Sequence, residues 1–361
     1  RKAAERVVES LKDRFGEGYL FEIDPGAKLI FATNTDPETL GAIKKNLLTQ
    51  ANTLWKELFD HKPDQYIAVV LPSLTDYRRI MPYAGVGGFY NSANRILISQ
   101  RLGQVMVHEF THALHDADTD SLGQDHPIWL TEGLAVLCES AKFEDNKLLL
   151  QDSTRLPYLQ AAGKRNRLIA LEKLLTLTHR QFMGMATLAY GQSGSLLLYL
   201  HEQKQLRPFY QAYKATFEKD QSGKLALEQV TGKKLPEIEK AWKAWMLKRT
   251  PPPTNTGPNG AFLGIRFAQG NDGLKIEELV AGGPGDKGGL KAGDVVVGLE
   301  DAEVRDHPTF IALLSAHEPG EKVMVKVRRD GKYLEMPVTL EKRPAATKPA
   351  PPTTNRARAR R

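Results

Sequence analysis

The sequence predicts an α+β fold: a mixed sheet followed by a mainly helical half, with a small β-rich domain at the carboxyl end. Residues 28–32 and 66–71 are short apolar runs typical of strands, whereas residues 101–248 have an almost wholly helical pattern. Strand-rich sequence followed by helix-rich sequence is typical of α+β domains. Beyond residue 260, short strand patterns alternate with glycine-rich turns and one amphipathic helix, which predicts the β-rich domain.

A proline-rich stretch divides the chain, whose 361 residues exceed the usual size of one domain. Residues 251–259 combine prolines, glycine and small polar residues, so we predict a linker between domains at 1–250 and 260–342. Residues 343–361 are rich in Pro, Ala, Thr and Arg without an apolar period, which predicts a disordered basic tail. In the first domain, residues 37–59 have the spacing of a long amphipathic helix.

Charge and composition argue against several classes of protein. The net charge of +7 includes six basic residues and no acid in 343–361, so the rest is near neutral and no specific nucleic-acid partner is expected. No apolar run reaches the roughly eighteen residues of a transmembrane helix. The lone Cys138 predicts a buried, inert thiol. Because the chain begins at Arg1, we leave open a removed signal peptide or anchor and favour an extracytoplasmic or secreted location.

The stretch GQVMVHEFTHALHDA is the first candidate site, because His108-Glu109-Phe110-Thr111-His112 forms the pattern HExxH. Side chains at i and i+4 of a helix lie one above the other, so His108 and His112 project together. They lie nearly opposite an apolar face formed by Met106, Val107, Phe110, Ala113 and Leu114. Two imidazoles on the side away from the core favour a metal site; a solvated histidine pair is the alternative.

Glu132 is the candidate third ligand that a catalytic zinc site needs beside an open position for water. It follows His112 after 19 intervening residues, in an apolar segment that we predict to be a helix beginning at Pro127. A carboxylate in so hydrophobic a segment needs a partner, and a metal ion is one. An exposed helical glutamate is the alternative.

The motif resembles that of the gluzincin metallopeptidases, in which HExxH is followed by a ligand glutamate at this spacing. Residues 129–133, WLTEG, are similar to the WLxEG segment of the aminopeptidase-N-like and glycyl-aminopeptidase-like branches. The resemblance implies a gluzincin-like catalytic domain with one Zn²⁺ held by His108, His112 and Glu132 and with Glu109 as general base. The thermolysin branch usually has an aspartate where this chain has Val136, so Glu139 or a backbone carbonyl is left to orient His108.

Tyr190 is the candidate donor to the oxyanion of the tetrahedral intermediate. Residues 189–194 resemble the Tyr-x-x-Gly helix start of aminopeptidase-N-like enzymes, with one additional residue between Tyr190 and the glycine. We therefore predict a helix that opens at this segment. A tyrosine that merely packs, with its hydroxyl satisfied, is the alternative.

Residues 87–91 and 95–98 predict a hairpin-like pair of strands just before the motif. In gluzincins an edge strand here pairs with the extended substrate, which implies substrate binding by Gly87, Gly88, Phe89 and Tyr90. Aminopeptidases carry an amine-binding glutamate at the end of this strand, but no acid occurs between Pro82 and Gln104. This absence favours an endopeptidase, although another loop can supply the acid. We expect His115, His126 and His179 to be structural.

Residues 260–342 resemble a bacterial PDZ domain, most specifically in GGPGDKGGLKAGDVVVGLED, which is similar to the PAxxAGLxxGDxI core. The resemblance implies a ligand with a free carboxyl terminus or an extended segment. The carboxylate loop maps to Phe262, Leu263, Gly264 and Ile265, and the apolar pocket to Phe310, Leu313 and Leu314, for which core packing is the alternative.

The leading hypothesis is a zinc endopeptidase that acts on a peptide or protein substrate and carries a PDZ docking module. An aminopeptidase of the same family is the first alternative. A catalytically inactive peptide-binding scaffold is the second, and it is disfavoured because a pure binder has no need of Glu109.

Overall fold

The computed structural model describes residues 2–16, 18–34, 36–80, 88–99, 103–144, 147–251, 260–270, 273–300, 302–304, 307–314 and 317–343. The predicted linker lies outside the described residues except for Pro251, as does the predicted tail except for Arg343. The mixture of helices and strands confirms the predicted α+β class.

A five-stranded mixed sheet occupies the amino-terminal part. Its strands are β1 (Leu20–Asp24), β2 (Leu29–Thr33), β3 (Ile67–Leu71), β4 (Gly88–Asn91) and β5 (Ile96–Ser99), in the order β1-β2-β3-β5-β4. The central β2, β3 and β5 are parallel, whereas β1 and β4 pair antiparallel at the two edges. β2 and β3 correspond to the predicted strands at 28–32 and 66–71. β4 and β5 form the predicted hairpin, so β4 is an edge strand.

Helices pack against the sheet and then form the rest of this domain. They are α1 (Lys2–Phe15), α2 (Pro37–Glu57), α3 (Leu74–Ile80), α4 (Gln104–Asp120), α5 (Ile128–Glu139), α6 (Leu156–Lys164), α7 (Leu171–Leu174), α8 (His179–Gly184), α9 (Ala186–Glu202), α10 (Leu206–Thr216), α11 (Lys224–Thr231) and α12 (Leu235–Lys248). The Asp36 side chain caps α2 by accepting a hydrogen bond from the Thr39 backbone N–H at 2.7 Å. A short hairpin of β6 (Lys142–Glu144) and β7 (Lys147–Leu149), which the helical pattern did not predict, interrupts the helices.

Two glycines allow α5 and α9 to pack closely. A Cβ atom at Gly194 would lie 2.5 Å from Cγ1 of Val136, and one at Gly133 would lie 3.0 Å from Cδ1 of Leu197. These distances are shorter than ordinary packing contacts, so larger residues would push the helices apart. Because Glu132 precedes Gly133, this packing fixes the position of the candidate third ligand.

The carboxyl half of α4 is anchored through Asp118, whose side chain is fully buried. Its Oδ1 accepts hydrogen bonds from the backbone N–H groups of Asp60 and His61, both at 2.7 Å. Its Oδ2 accepts from the Tyr210 hydroxyl at 2.7 Å and from Nζ of Lys214 at 2.9 Å. The carboxylate thus joins α4 to α10 and to the segment after α2.

The second domain has its own sheet and core. Its elements are β8 (Ala261–Phe262), β9 (Ile265–Gly270), β10 (Gly273–Leu279), α13 (Pro284–Lys287), β11 (Val295–Leu299), β12 (Ala302–Glu303), α14 (His307–Leu314), β13 (Lys322–Arg329), β14 (Lys332–Thr339) and β15 (Glu341–Lys342). The main sheet is antiparallel, in the order β14-β13-β11-β10-β9. Across both domains, none of the helices that the structure describes has the length and apolar character needed to cross a membrane.

Candidate metal centre

The three predicted ligands come together between α4 and α5. Nε2 of His108 lies 3.1 Å from Nε2 of His112. Oε2 of Glu132 lies 3.2 Å from Nε2 of His108 and 3.3 Å from Nε2 of His112. One turn of α4 separates the histidines, and α5 begins beyond Pro127, as predicted. The three donor atoms therefore form a nearly equilateral triangle.

The triangle fits a tetrahedral metal ion. Ligand atoms placed about 2.0–2.1 Å from zinc in tetrahedral geometry lie roughly 3.3–3.4 Å apart, close to the distances found here. Oε2 of Glu132 is buried and, apart from the two imidazole nitrogens, has no polar partner in the described part of the chain. In the part of the chain that the structure describes, the cluster of side chains that could hold a metal ion consists of His108, His112 and Glu132. Three ligands leave a fourth tetrahedral position for water.

Glu139 and Arg155 support His108 from behind. Nδ1 of His108 lies 2.7 Å from Oε1 of Glu139, whose other oxygen pairs with Nη1 of Arg155. Burial alone would lower the pKa of His108, but its bonds to Glu132 and Glu139 raise it to about 10. Burial would raise the pKa of Glu139, but Arg155 and His108 outweigh it and hold that pKa below its usual range. Of the two alternatives left by the sequence, the structure thus places Glu139 beside the imidazole.

Glu109 faces the edge strand β4. Its Oε2 accepts a hydrogen bond from the backbone N–H of Tyr90 at 2.9 Å. Because the donor is the backbone of Tyr90, the edge of β4 that does not pair with β5 faces the carboxylate. The strand also lies close to α4, since a Cβ at Gly88 would lie 2.9 Å from Cγ1 of Val105. Gly88 therefore permits packing of β4 on the helix, whereas Gly87 lies outside the described residues.

Tyr190 lies near the ligands, but its hydroxyl is turned elsewhere. The motif predicted that Tyr190 lies at the start of a helix. Helix α9 instead begins at Ala186, so Tyr190 belongs to its second turn. The Tyr190 ring centroid lies 6.3 Å from that of His108. The hydroxyl lies 3.8 Å from Sδ of Met183, a distance within the range of a weak sulfur contact. Burial, followed by the charge of Glu132, raises the pKa of this tyrosine.

The other histidines stand apart from the triangle. Nε2 of His115 and Nδ1 of His126 lie 2.8 Å apart, and both side chains are buried. Burial lowers the pKa of His115 and lowers that of His126 to about 4, so both are neutral near pH 7. His179 is exposed at the first residue of α8. These positions agree with a structural role.

The predicted PDZ ligand residues also lie together. Gly264 has a φ of +73°, which a glycine adopts readily, and its carbonyl accepts from the Val280 backbone N–H at 2.8 Å. Leu263, Phe310 and Leu314 are buried in the core of this domain, so core packing accounts for most of their surface. Leu313 and Ile265 are half-buried against the same core.

The comparisons with known proteins agree with this architecture. Residues 94–248 match the family model described as Peptidase MA superfamily, and residues 261–340 match that of the PDZ domain. The chain thus carries a segment of the Peptidase MA superfamily, followed by a carboxyl-terminal PDZ domain, which confirms the gluzincin and PDZ resemblance found in the sequence.

Individual relatives match over smaller parts. The "Probable periplasmic serine endoprotease DegP-like" of Chlamydia muridarum is 38% identical over 73 residues, which are 20% of this chain and 15% of that protein. The "Serine protease Do-like HtrA" of Bacillus subtilis is 33% identical over 86 residues, 24% of this chain and 19% of that protein. The chain thus spans less than a fifth of the length of these relatives.

Two solved structures complete the comparison. An aminopeptidase N family protein from Idiomarina loihiensis aligns with 91% of this chain and 67% of its own, at 13% identity and a TM-score of 0.35. The HtrA-type protease AlgW with decapeptide aligns with 34% of this chain and 36% of its own, at 20% identity and a TM-score of 0.24.

Proposed function

We propose that this chain is a zinc-dependent peptidase whose PDZ domain docks peptide or protein ends. The observation that carries the proposal is the triangle of His108, His112 and Glu132, with distances close to one face of a zinc tetrahedron. A pair of imidazoles and one carboxylate is a ligand set used by catalytic zinc in peptidases.

Glu109 is the proposed general base. His108, His112 and Glu132 would hold the zinc ion, which would supply an acidified water molecule and a Lewis acid for the scissile carbonyl. Glu109 would take the proton of that water and deliver it to the leaving amine. The Tyr90 backbone N–H, 2.9 Å from Oε2 of Glu109, holds this carboxylate between helix and strand. Tyr190 remains the proposed oxyanion donor, and this role requires its hydroxyl to turn away from Met183.

The substrate is proposed to add as a strand to the outer edge of β4. Gly88, Phe89 and Tyr90 lie on this strand, and the sequence prediction adds Gly87. Main-chain hydrogen bonds along an edge strand bind extended peptides with little dependence on sequence. Aminopeptidases carry an amine-binding glutamate on this strand. We prefer an endopeptidase because β4 contains no acidic residue.

The PDZ domain is proposed to bind a free carboxyl terminus or an extended segment through Leu263, Gly264 and Ile265, opposite Phe310 and Leu314. We also propose the boundaries 1–250, 251–259, 260–342 and 343–361 for the two domains, linker and tail. The name of the Chlamydia relative describes it as periplasmic, which supports an extracytoplasmic location for this chain.

Metal analysis paired with a Glu109→Gln variant tests the proposal. We expect purified protein to bind about one zinc per chain, and the variant to keep its zinc while cleavage of a mixed peptide pool falls by roughly 10²–10⁴. An exchange of the exposed Glu218 to Gln is the matched control and leaves cleavage unchanged. Absence of bound zinc, or equal cleavage by the Glu109 variant, would sink the proposal. Acetylated peptides then separate endopeptidase from aminopeptidase activity, because an aminopeptidase spares them.

A further inference from the structure

A cavity of about 440 Å³ opens beside the candidate metal ligands. His112 and Glu132 form part of its wall, and Tyr90 and Ser92, at the end of β4, form another part. A peptide that lies along β4 over the ligands must therefore run past this cavity. It is continuous with the proposed catalytic site.

The charge of the cavity is negative. Asp116, Asp120 and Asp125 line it, and none of the described lining residues is lysine or arginine. Nη2 of Arg95 lies 2.5 Å from Oδ2 of Asp120 and offsets that one carboxylate. His115 and His126 also line the cavity but are neutral near pH 7. Asp116 and Asp125 thus contribute negative charge that no basic side chain of the lining neutralises.

Asp116 is held in the wall by the strand itself. The Tyr90 hydroxyl donates to Oδ2 of Asp116 at 2.7 Å. Burial raises the pKa of Asp116; the Tyr90 bond and the charge of Arg95 oppose this rise, and the charges of Asp120 and Asp125 add to it. A cation in the cavity would favour the ionised carboxylate.

The direction of the strand decides which part of a peptide meets the cavity. Antiparallel pairing is the more stable arrangement for an added strand. A peptide antiparallel to β4 runs from the Asn91 end toward Gly88, so its amino-terminal half lies at Tyr90 and Ser92. The cavity is therefore on the amino-terminal side of the scissile bond.

We propose that this cavity, with Asp116 and Asp125, is a subsite for a protonated amine or guanidinium on the amino-terminal side of the scissile bond. The inference rests on the proposed peptidase function and deepens it by naming the substrate class. The cation has two possible sources: a lysine or arginine side chain, or the free α-amine of a short peptide. We favour the side chain, because the preferred activity is internal cleavage.

The test uses full-length, zinc-loaded protein and acetylated, amidated fluorogenic peptides. Each peptide pair differs only by arginine or its neutral analogue citrulline, at one or two residues before the scissile bond. We expect the arginine peptide to have kcat/KM roughly tenfold or more higher, the usual range for a hydrogen bond to a charged group. Asp125→Asn and Asp116→Asn reduce this ratio, Asp125→Lys reverses it in favour of the citrulline peptide, and Asp13→Asn, an exposed helical control, leaves it unchanged.

Binding of the same peptides to the zinc-loaded Glu109→Gln variant, followed by fluorescence anisotropy, separates this inference from the proposed function. Arginine-dependent binding without cleavage by the native chain keeps the subsite and rejects the peptidase. Equal rates and equal binding of arginine and citrulline peptides overturn the subsite, whatever the peptidase does. If arginine gives no advantage but peptides without the acetyl group are cleaved or bound better in a way that depends on Asp125, the cation is the α-amine.

Discussion

Nδ1 of His108 lies 2.7 Å from Oε1 of Glu139, seven residues beyond the candidate ligand Glu132 on the same helix. Glu139 is paired in turn with Arg155, which immediately precedes α6. A carboxylate behind a ligand imidazole fixes its tautomer and orientation and makes it a better donor to a metal. Two helices and the residue before a third thus contribute to the position of one imidazole.

The first prediction follows from this relationship. Replacement of Glu139 by Gln keeps the size of the side chain but removes its charge, so we expect zinc affinity to fall about 10–100-fold. Competition with a fluorescent chelator measures the change. The exposed Glu218→Gln exchange has the same chemistry and leaves the affinity unaltered. Equal affinity in the Glu139 variant would show that the contact does not tune the site.

The second prediction concerns the contact of α5 with α9. A methyl group at position 194 overlaps Val136, so Gly194→Ala costs roughly 1–3 kcal/mol in the free energy of unfolding. Gly41→Ala is the control, because Gly41 lies in α2 and a Cβ there meets no atom within 4 Å. That exchange adds about 0.5–1 kcal/mol of stability through helix propensity. Urea unfolding measures the free energy of unfolding of both variants. Similar changes in the two would contradict the close packing of α5 on α9.

The third prediction is a loss of stability in mild acid. The pKa of His126 is about 4 in the folded chain, against about 6.5 when unfolded. Below pH 6.5 the unfolded chain therefore binds a proton that the folded chain does not, and stability falls until about pH 4. We expect His126 to account for roughly 3 kcal/mol of this fall. Urea unfolding at several pH values measures how the free energy of unfolding changes with pH. We expect His126→Gln to reduce this change, whereas an exchange of the exposed His179 leaves it as it is.

The fourth prediction concerns Tyr190. If its hydroxyl stabilises the oxyanion, Tyr190→Phe lowers kcat by roughly 10²–10³ and leaves KM nearly constant. Stopped assays at saturating and limiting substrate separate the two constants. An unchanged kcat would assign the tyrosine to packing beside Met183 and Phe182.

The candidate ligands could be predicted because their information is local. His108 and His112 are one helical turn apart, and Glu132 follows at a short, fixed spacing on the next helix. Asp116 and Asp120 continue the same i+4 row beyond His112, so a helical wheel could have shown that the row is acidic.

Other contacts depend on tertiary structure. Arg155 reaches Glu139 from the position just before α6, and no local spacing links the two residues. The bond between Tyr90 and Glu109 depends on the angle at which β4 crosses α4. The early start of α9 was missed because a sequence motif was used to locate a helix boundary, and boundaries are the least certain part of such predictions.

The buried carboxylate of Asp118 lies ten residues beyond His108 and ties the far end of the helix that carries the candidate ligands to two neighbouring segments. In small zinc-binding modules the ion itself organises the chain, and the chain unfolds when the ion leaves. The contacts of Asp118, in contrast, are all with protein groups. We therefore expect the chain to stay folded when a chelator removes the proposed metal ion.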